Sequence, residues 1–238
     1  MLDFKIYQLL ASIFTPELSI ANPLKIANLV VDLIGKYVSG EPSILPLPKD
    51  APSDIPRIMF SSSDKKWALN ISPERTNLFY NIRPTSNEEM ITTEEFSSIA
   101  SAFFGDYQRQ LGSRVQRIAF VTERLTIRDD ALDYVLGRFC NEKQITKGQP
   151  FFNAKRFEIH SLKKYAWGNF SINSWVRTKF LPIKNGDGET APVILVINDL
   201  NTLSSDEAPD AVFFTDDIKT YFEKIPQHLS DILKLYFE

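Results

Sequence analysis

The segment VILVINDLNTLSSDEAPDAVFFTDDIKTYFEKIPQHLSDILKLYFE (residues 193–238) decides the fold. Its first five residues are all apolar, which is typical of a strand buried on both faces of a sheet. Beyond an acidic loop, apolar residues recur at steps of three and four, and this spacing predicts one amphipathic helix. A stripe that includes four aromatic rings is too apolar to face water, so we expect the helix to cover a sheet. The stripe consists of Ile218, Tyr221, Phe222, Ile225, Leu229, Ile232, Leu233, Tyr236 and Phe237.

Two residues of this closing helix predict local detail. Thr215 stands where its hydroxyl can cap the free backbone N–H groups at the helix start. Pro226 lies inside the apolar pattern. Because proline removes one backbone hydrogen bond and clashes with the preceding turn, we expect a kink or a break near residues 224–225.

Length and composition indicate a soluble globular protein. The chain has 238 residues, of which 43% are hydrophobic and 24% charged, enough for one large domain or two small joined ones. It contains no apolar run of 18 residues and no basic start followed by an apolar run. Its one cysteine, Cys140, cannot form an internal disulfide. We therefore expect a cytoplasmic protein that does not bind a membrane.

The chain divides into two halves with the same order of elements. Residues 1–112 are predicted to form a strand, a helix, three short strands and a second helix, and residues 113–238 repeat that order. Thr92 and Glu95 form a capping box at the start of the second helix, and Gly112 ends it. The predicted fold class is α+β, with antiparallel sheet and helices packed on one face.

This layout is related to the TATA-binding-protein-like saddle and to the helix-grip folds, an analogy of fold that implies no function. The two halves form either two α+β units or one continuous domain. In the second half we expect strands at residues 152–162, 167–180 and 192–197, with a hairpin turn at residues 185–188.

Two passages resemble a family of uncharacterised, sporadically distributed bacterial proteins of about this length. The first, RIMFSSSDKKWALNISPER at residues 57–75, is similar to that family's strand, turn, strand and Ser/Thr-Pro-Glu passage. The second is VILVIND at residues 193–199, with the acidic loop and helix that follow it. The last strand of the family usually carries more acidic residues. The resemblance implies a bacterial cytoplasmic accessory protein and brings no catalytic residues.

The sequence lacks a recognisable catalytic constellation, and we lean towards a protein that is not an enzyme. It contains no Gly-x-Ser-x-Gly elbow, phosphate loop, HExxH or paired CxxC motif. We interpret Cys140 as a core residue, and His160 and His228 as structural or solvated. We expect no catalytic residues, no metal and no cofactor.

Two segments between the predicted elements are interpreted as parts of the protein surface. Residues 40–56 carry five prolines, and Ile44, Leu45 and Leu47 make this connection too apolar for a free linker. The acidic residues between 199 and 217 are of the type that binds divalent cations, but their spacing fits no known loop. We interpret that segment as a solvated surface loop.

Charge is unevenly distributed along the chain. Residues 105–184 hold 15 Lys and Arg against 7 Asp and Glu, and the remainder holds 12 against 23. Within this basic region, alternate residues of the strand at 167–180 combine Trp175 with cations and amides, while Ile172 and Val176 point the other way. If the helices cover one face of the sheet, Trp175 and its neighbours occupy the open one. The candidate binding residues are Trp175, Arg177, Lys179, Arg156, His160, Lys164 and Asn173.

Three functions remain open from the sequence. The first is a non-enzymatic protein that recognises another protein through the open sheet face, where aromatic and Arg residues favour binding. The second is a nucleic-acid-binding module that uses the same face, since bases stack on aromatic rings and cations neutralise phosphates. The overall acidity of the chain disfavours it. The third is a binder of an apolar small molecule or lipid, in a pocket between the closing helix and the sheet.

Overall fold

The structure is a computed structural model, and most of the chain can be described from it. It describes residues 2–16, 18–48, 50–82, 90–141, 145, 147–149, 152, 154–184 and 190–238. The hairpin turn predicted at residues 185–188 lies outside the described residues.

Nine strands and four helices form within these described residues. The strands are β1 (Lys5–Phe14), β2 (Ser43–Ile44), β3 (Ile58–Ser61), β4 (Trp67–Ile71), β5 (Arg75–Asn81), β6 (Arg117–Ile127), β7 (Phe157–Trp167), β8 (Phe170–Lys184) and β9 (Thr190–Thr202). The helices are α1 (Pro23–Ile34), α2 (Thr93–Leu111), α3 (Ala131–Phe139) and α4 (Thr215–Phe237). This order agrees with the predicted one, to which the short β2 is an addition.

One antiparallel sheet contains all nine of these strands, in the order β2-β3-β4-β5-β1-β6-β9-β8-β7. β1 and β6 pair at its centre, where Ala11 lies opposite Phe120. Since β1 comes from the first half of the chain and β6 from the second, the sheet runs continuously through both halves. β7 forms one end of the sheet and β2 forms the other.

The helices pack on one face of this sheet, called the helix face below. Alternate residues of the central strand β1 point into this layer, and Leu9, Ala11 and Ile13 are fully buried there. On α4, the Phe222 ring lies 5.5 Å from Phe104 of α2 and 6.2 Å from Phe120 of β6, measured between ring centroids. The predicted α+β class, with an aromatic closing helix covering antiparallel sheet, is confirmed.

The local signals at the helix ends are only partly correct. The predicted capping box of α2 forms, because Thr92 Oγ1 accepts from the Glu95 N–H at 3.1 Å and the Glu95 carboxylate accepts from the Thr92 N–H at 2.7 Å. Thr215 does not cap α4. The capping position is Phe214, whose N–H donates to the Asp217 carboxylate at 3.0 Å. Thr215 is the first helical residue, and its hydroxyl bonds Gln108 instead.

Of the kink or break expected near residues 224–225, the break does not occur, since α4 runs without interruption from residue 215 to residue 237. Pro226 is buried, and the backbone carbonyl that it leaves without a helical donor is that of Phe222. This carbonyl accepts a hydrogen bond from Ser97 of α2. A donor from the neighbouring helix therefore replaces the bond that proline removes.

The outer hairpin differs from the prediction in its boundaries. Trp167 was predicted to begin the strand that carries Trp175, but it is the last residue of β7. A two-residue turn at Gly168 and Asn169 separates β7 from β8, and Gly168 has a φ of 57°. β7 also begins later than expected, at Phe157 rather than at residue 152.

A candidate binding face

The pairing of β8 with its two neighbours brings most of the predicted binding residues together. Trp175 lies opposite Leu162 on β7 and Asp199 on β9, and Arg177 lies opposite His160. The even-numbered neighbours on β8 are buried on the helix face, so the odd-numbered side chains point to the opposite, open face. Six predicted residues share this face: Trp175, Arg177, Lys179, Asn173, His160 and Lys164.

Arg156 is the predicted residue that the sheet does not include. It directly precedes β7 and is exposed, without a strand partner among the described residues. The prediction extended the β7 strand to residue 152, whereas pairing with β8 begins with Phe157 opposite Phe180. Nothing in the sheet register therefore orients Arg156 towards Trp175.

The cations nearest to Trp175 on the open face lie close to carboxylates. Arg177 Nη2 lies 3.8 Å from Asp199 Oδ2, and Lys179 Nζ lies 3.4 Å from Glu158 Oε2. His160 Nε2 lies 3.3 Å from the same Glu158 oxygen. These pairs are partly exposed and contribute little to stability, but they place a negative charge beside Arg177 and beside Lys179.

Trp175 is the centre of this arrangement. Its ring is half-buried, and the Arg177 guanidinium lies 5.3 Å from the ring centroid. The cross-strand neighbour Leu162 is 43% exposed, which is high for a large apolar side chain. An aromatic ring, a guanidinium and an exposed leucine thus form one contiguous patch.

The acidic loop after β9 is largely exposed, as expected of a surface segment, and it also contacts this face. The Glu207 carboxylate accepts from Lys164 and from Asn173 Nδ2, the latter at 3.1 Å. Hydrogen bonds from Lys164 and Asn173 lower the pKa of Glu207 to about 2. These contacts join residues more than 30 positions apart in the chain, so no local pattern could have predicted them. In the described part of the chain, no group of three or more acidic, His or Cys side chains could hold a metal ion.

The open face continues across the centre of the sheet, beyond the residues that the sequence singled out. Across the sheet from Trp175, Asp199 pairs with Val121, Val121 with Leu10, and Leu10 with Phe79. Beyond Asp199 these residues form a row of apolar side chains. The three apolar members of this continuation are half-buried. Strand order cannot be read from the periodicity of single strands, so this row was missed.

Polar side chains flank the apolar row on both sides. On one side the Ser12 hydroxyl donates to Asn77 Oδ1 at 2.8 Å, and on the other Gln8 Nε2 donates to Asn81 Oδ1 at 2.5 Å. Near the cationic end, burial raises the pKa of Glu123, and the charges of Lys179 and Arg177 oppose that rise. The face therefore combines an apolar centre with a hydrogen-bonded polar margin.

Of the other groups weighed for chemistry, His228 is held between α4 and β7. Its ring stacks on Trp167 with centroids 4.6 Å apart, and its Nε2 lies 2.6 Å from the Tyr165 hydroxyl. Burial lowers the pKa of His228, which favours the neutral imidazole. Cys140 is half-buried at the end of α3.

A scan against protein-family models finds no match to this chain, and neither does a search of curated proteins. Within the described residues, none of the helices combines the length and the apolar character needed to cross a membrane.

Proposed function

We propose that this chain is a non-enzymatic binding protein that recognises another protein through the open face around Trp175. The observation that carries this proposal is the patch of Trp175, Arg177 and Leu162 within a set of paired charges. Interfaces between proteins are enriched in aromatic and Arg residues at their centre and are polar at the rim. The apolar row and its polar margin extend the same combination of apolar centre and polar rim across the sheet.

The charge pairing favours a protein partner over nucleic acid. A nucleic-acid surface needs cations that are free to neutralise phosphates. On this face Lys164, Arg177 and Lys179 each have a carboxylate partner within the molecule. Phosphate binding would have to break these pairs, whereas a partner with its own mixed charges can bind beside them.

The packing between α4 and the sheet makes an apolar ligand at that position less favoured. The side chains of Tyr221, Phe222, Ile225 and Leu229 are fully buried there and pack into the continuous core. That layer is filled by the protein's own side chains.

We also infer that residues 1–112 and 113–238 are structural repeats, and that only the second carries the binding patch. Strand order supports this, because β1-β5-β4-β3 and β6-β9-β8-β7 extend outward from the central pair in the same sequence of elements. β4 of the first half then corresponds to β8 of the second. Where β8 presents Trp175 and Arg177, β4 presents only Ala68 and Asn70.

Affinity capture from the organism that encodes the chain tests the binding proposal. The immobilised protein should retain a stoichiometric partner, and Trp175→Ala combined with Arg177→Glu should lose it. Leu235→Ala combined with Arg109→Glu is the matched control, because both residues are exposed on the helices, away from the open face. Equal capture by all three proteins would overturn the proposed site.

A fluorescence anisotropy titration with single- and double-stranded oligonucleotides at about 50 mM salt, where phosphate contacts are strongest, tests the alternative. We expect no saturable binding. Binding that weakens steeply with added salt and is lost in the Trp175→Ala, Arg177→Glu variant would instead favour the nucleic-acid function.

A further inference from the structure

The proline-rich connection between α1 and β3 forms the wall of a surface pocket, far along the sheet from Trp175. The pocket has a volume of about 610 Å³ and lies between residues 19–23, residues 44–48, Arg57 and Pro73. This volume is within the range of about 300–1,000 Å³ that is common for small-molecule sites. Residues 44–47, which are too apolar for a free linker, therefore form part of the pocket wall.

Backbone hydrogen bonds hold the pocket wall in place. Ile44 pairs with Ile58 in the sheet, and the Leu45 N–H donates to the Arg57 carbonyl at 2.8 Å. The Leu47 N–H then donates to the Leu45 carbonyl at 2.9 Å. Prolines on either side of Leu47 restrict the backbone further. A pocket with walls fixed in this way loses little entropy when a ligand binds.

Most of the lining is apolar, and it carries a single charge. Ile20, Ile44 and Leu47 contribute aliphatic side chains, and Leu47 is 36% exposed. Arg57 is the one charged residue among those described residues that line the pocket. A cation without a carboxylate in its lining fits an anionic ligand group, and the aliphatic wall fits a hydrocarbon chain.

The hydrogen bonding of Arg57 indicates where that anionic group would bind. Arg57 Nη2 donates to the Ala51 carbonyl at 3.0 Å, but Nη1 is shielded from solvent and has no hydrogen-bond partner among the described residues. A buried donor without a partner is unfavourable, and a hydrogen bond from a charged donor is among the stronger ones in proteins. A carboxylate that reaches Nη1 after a small movement of the side chain would remove this unfavourable state.

We propose that this pocket binds a small apolar carboxylate, a free acid with an aliphatic chain. The chain packs on Ile20, Ile44 and Leu47, and the carboxylate accepts hydrogen bonds from the Arg57 guanidinium. This site is separate from the open face and does not depend on the protein-binding function proposed above. A neutral lipid would fill the apolar wall but leave Nη1 without an acceptor, so the acid should bind more tightly.

Isothermal titration calorimetry with decanoate, below its critical micelle concentration, tests the proposal, with decanol as the uncharged comparison. We expect saturable binding of one decanoate per chain and at least tenfold weaker binding of decanol. Arg57→Met removes the charge and should weaken decanoate binding about tenfold or more. Arg109→Met removes an exposed arginine on α2 and should leave binding unchanged.

A second variant keeps the test decisive if Arg57→Met disturbs the loop. Leu47→Glu changes an exposed residue and places a carboxylate in the pocket wall, so it should abolish decanoate binding while the melting temperature stays the same. The proposal is overturned if the wild type shows no saturable binding. It is also overturned if the wild type, Arg57→Met and Leu47→Glu bind decanoate equally, which would mean nonspecific association of the chain with the protein surface.

Discussion

The hydroxyl of Ser97 on α2 donates a hydrogen bond to the backbone carbonyl of Phe222 on α4. Four residues after Phe222 stands Pro226, which has no N–H to offer that carbonyl. Both Ser97 and Phe222 are buried, so the donor to this carbonyl comes from the protein itself. This one side chain lets α4 continue through a proline and at the same time links the two long helices.

Ser97→Ala should therefore destabilise the protein by about 1–3 kcal/mol, because it leaves a buried carbonyl without a donor. Urea unfolding at neutral pH measures the change. Ser98→Ala is the matched control, since Ser98 is the exposed neighbour on the same helix, and its effect should stay within about 0.5 kcal/mol.

Pro226→Ala completes a double-mutant cycle with Ser97→Ala. It restores an N–H four residues after Phe222, so the carbonyl gains a helical donor and Ser97 becomes less important. In the Pro226→Ala background, Ser97→Ala should cost less than it does in the wild type, with a coupling energy of about 0.5–3 kcal/mol. Additive effects of the two substitutions would contradict the compensation.

The environment of His228 predicts a pH-dependent stability. Burial lowers the pKa of His228 from its ordinary value of 6.5, and Asp231 opposes this only in part. Between the lowered pKa and 6.5 the unfolded chain binds more protons than the folded one, so stability falls as the pH decreases through this window. The neutral imidazole, whose Nε2 lies 2.6 Å from the Tyr165 hydroxyl, is the form that is lost.

His228→Phe keeps a ring on Trp167 but cannot titrate. The free energy of unfolding of the wild type should drop more between pH 8 and pH 5.5 than that of His228→Phe. Urea unfolding of both proteins is measured at both pH values, because the contributions of the other titrating groups to the free energy of unfolding then cancel in the difference. Parallel pH profiles would show that His228 does not titrate with folding.

Arg124 on β6 is a buried cation held by neutral groups. It donates to Thr122 Oγ1 at 2.6 Å and to Thr93 Oγ1 at 3.3 Å, and it is 8% exposed. Burial lowers its pKa to about 10, so the side chain remains charged at neutral pH. The planar guanidinium reaches several acceptors at once, which a lysine ammonium cannot do.

We therefore expect Arg124→Lys to destabilise the protein by about 2 kcal/mol, since it buries a more strongly hydrated charge with fewer hydrogen bonds. Arg124→Met should cost less, because it removes the buried charge while keeping most of the aliphatic volume. Chemical denaturation of the two variants decides the order. If lysine is tolerated better than methionine, the charge rather than the fork geometry is what the site requires.

Gly112 ends α2 with a φ of 61°, in the left-handed region that disfavours a Cβ atom. Gly112→Ala should lower stability by about 1 kcal/mol, although no atom of the described residues lies within 4 Å of the added methyl group. Gly112→Asn should cost less, because asparagine adopts this conformation more readily. Thermal unfolding of the two variants measures this difference, and an unchanged midpoint for Gly112→Ala would contradict the assigned helix end.

Local signals predicted much of the fold and part of the candidate site. The alternation of Ile172 and Val176 with Trp175 and Arg177 correctly separates the two faces of β8. The dipeptide Gly168-Asn169 is itself a hairpin signal, and it marks the residue at which β7 ends. The predicted boundary was wrong because Trp167 also fits the apolar pattern of the strand that follows the turn.

The sequence by itself determined the elements and their exposed sides, because periodicity, capping and turn chemistry act over a few neighbouring residues. Only the tertiary structure decided what these sides meet. Strand order placed the Trp175 patch beside the apolar row of the central strands. The loop after β9 folds back over the sheet and brings Glu207 to Lys164 on β7. The helix that passes through Pro226 depends likewise on Ser97, which lies 125 residues before the carbonyl it satisfies. Contacts over such separations depend on how the whole sheet assembles, and no local pattern encodes them.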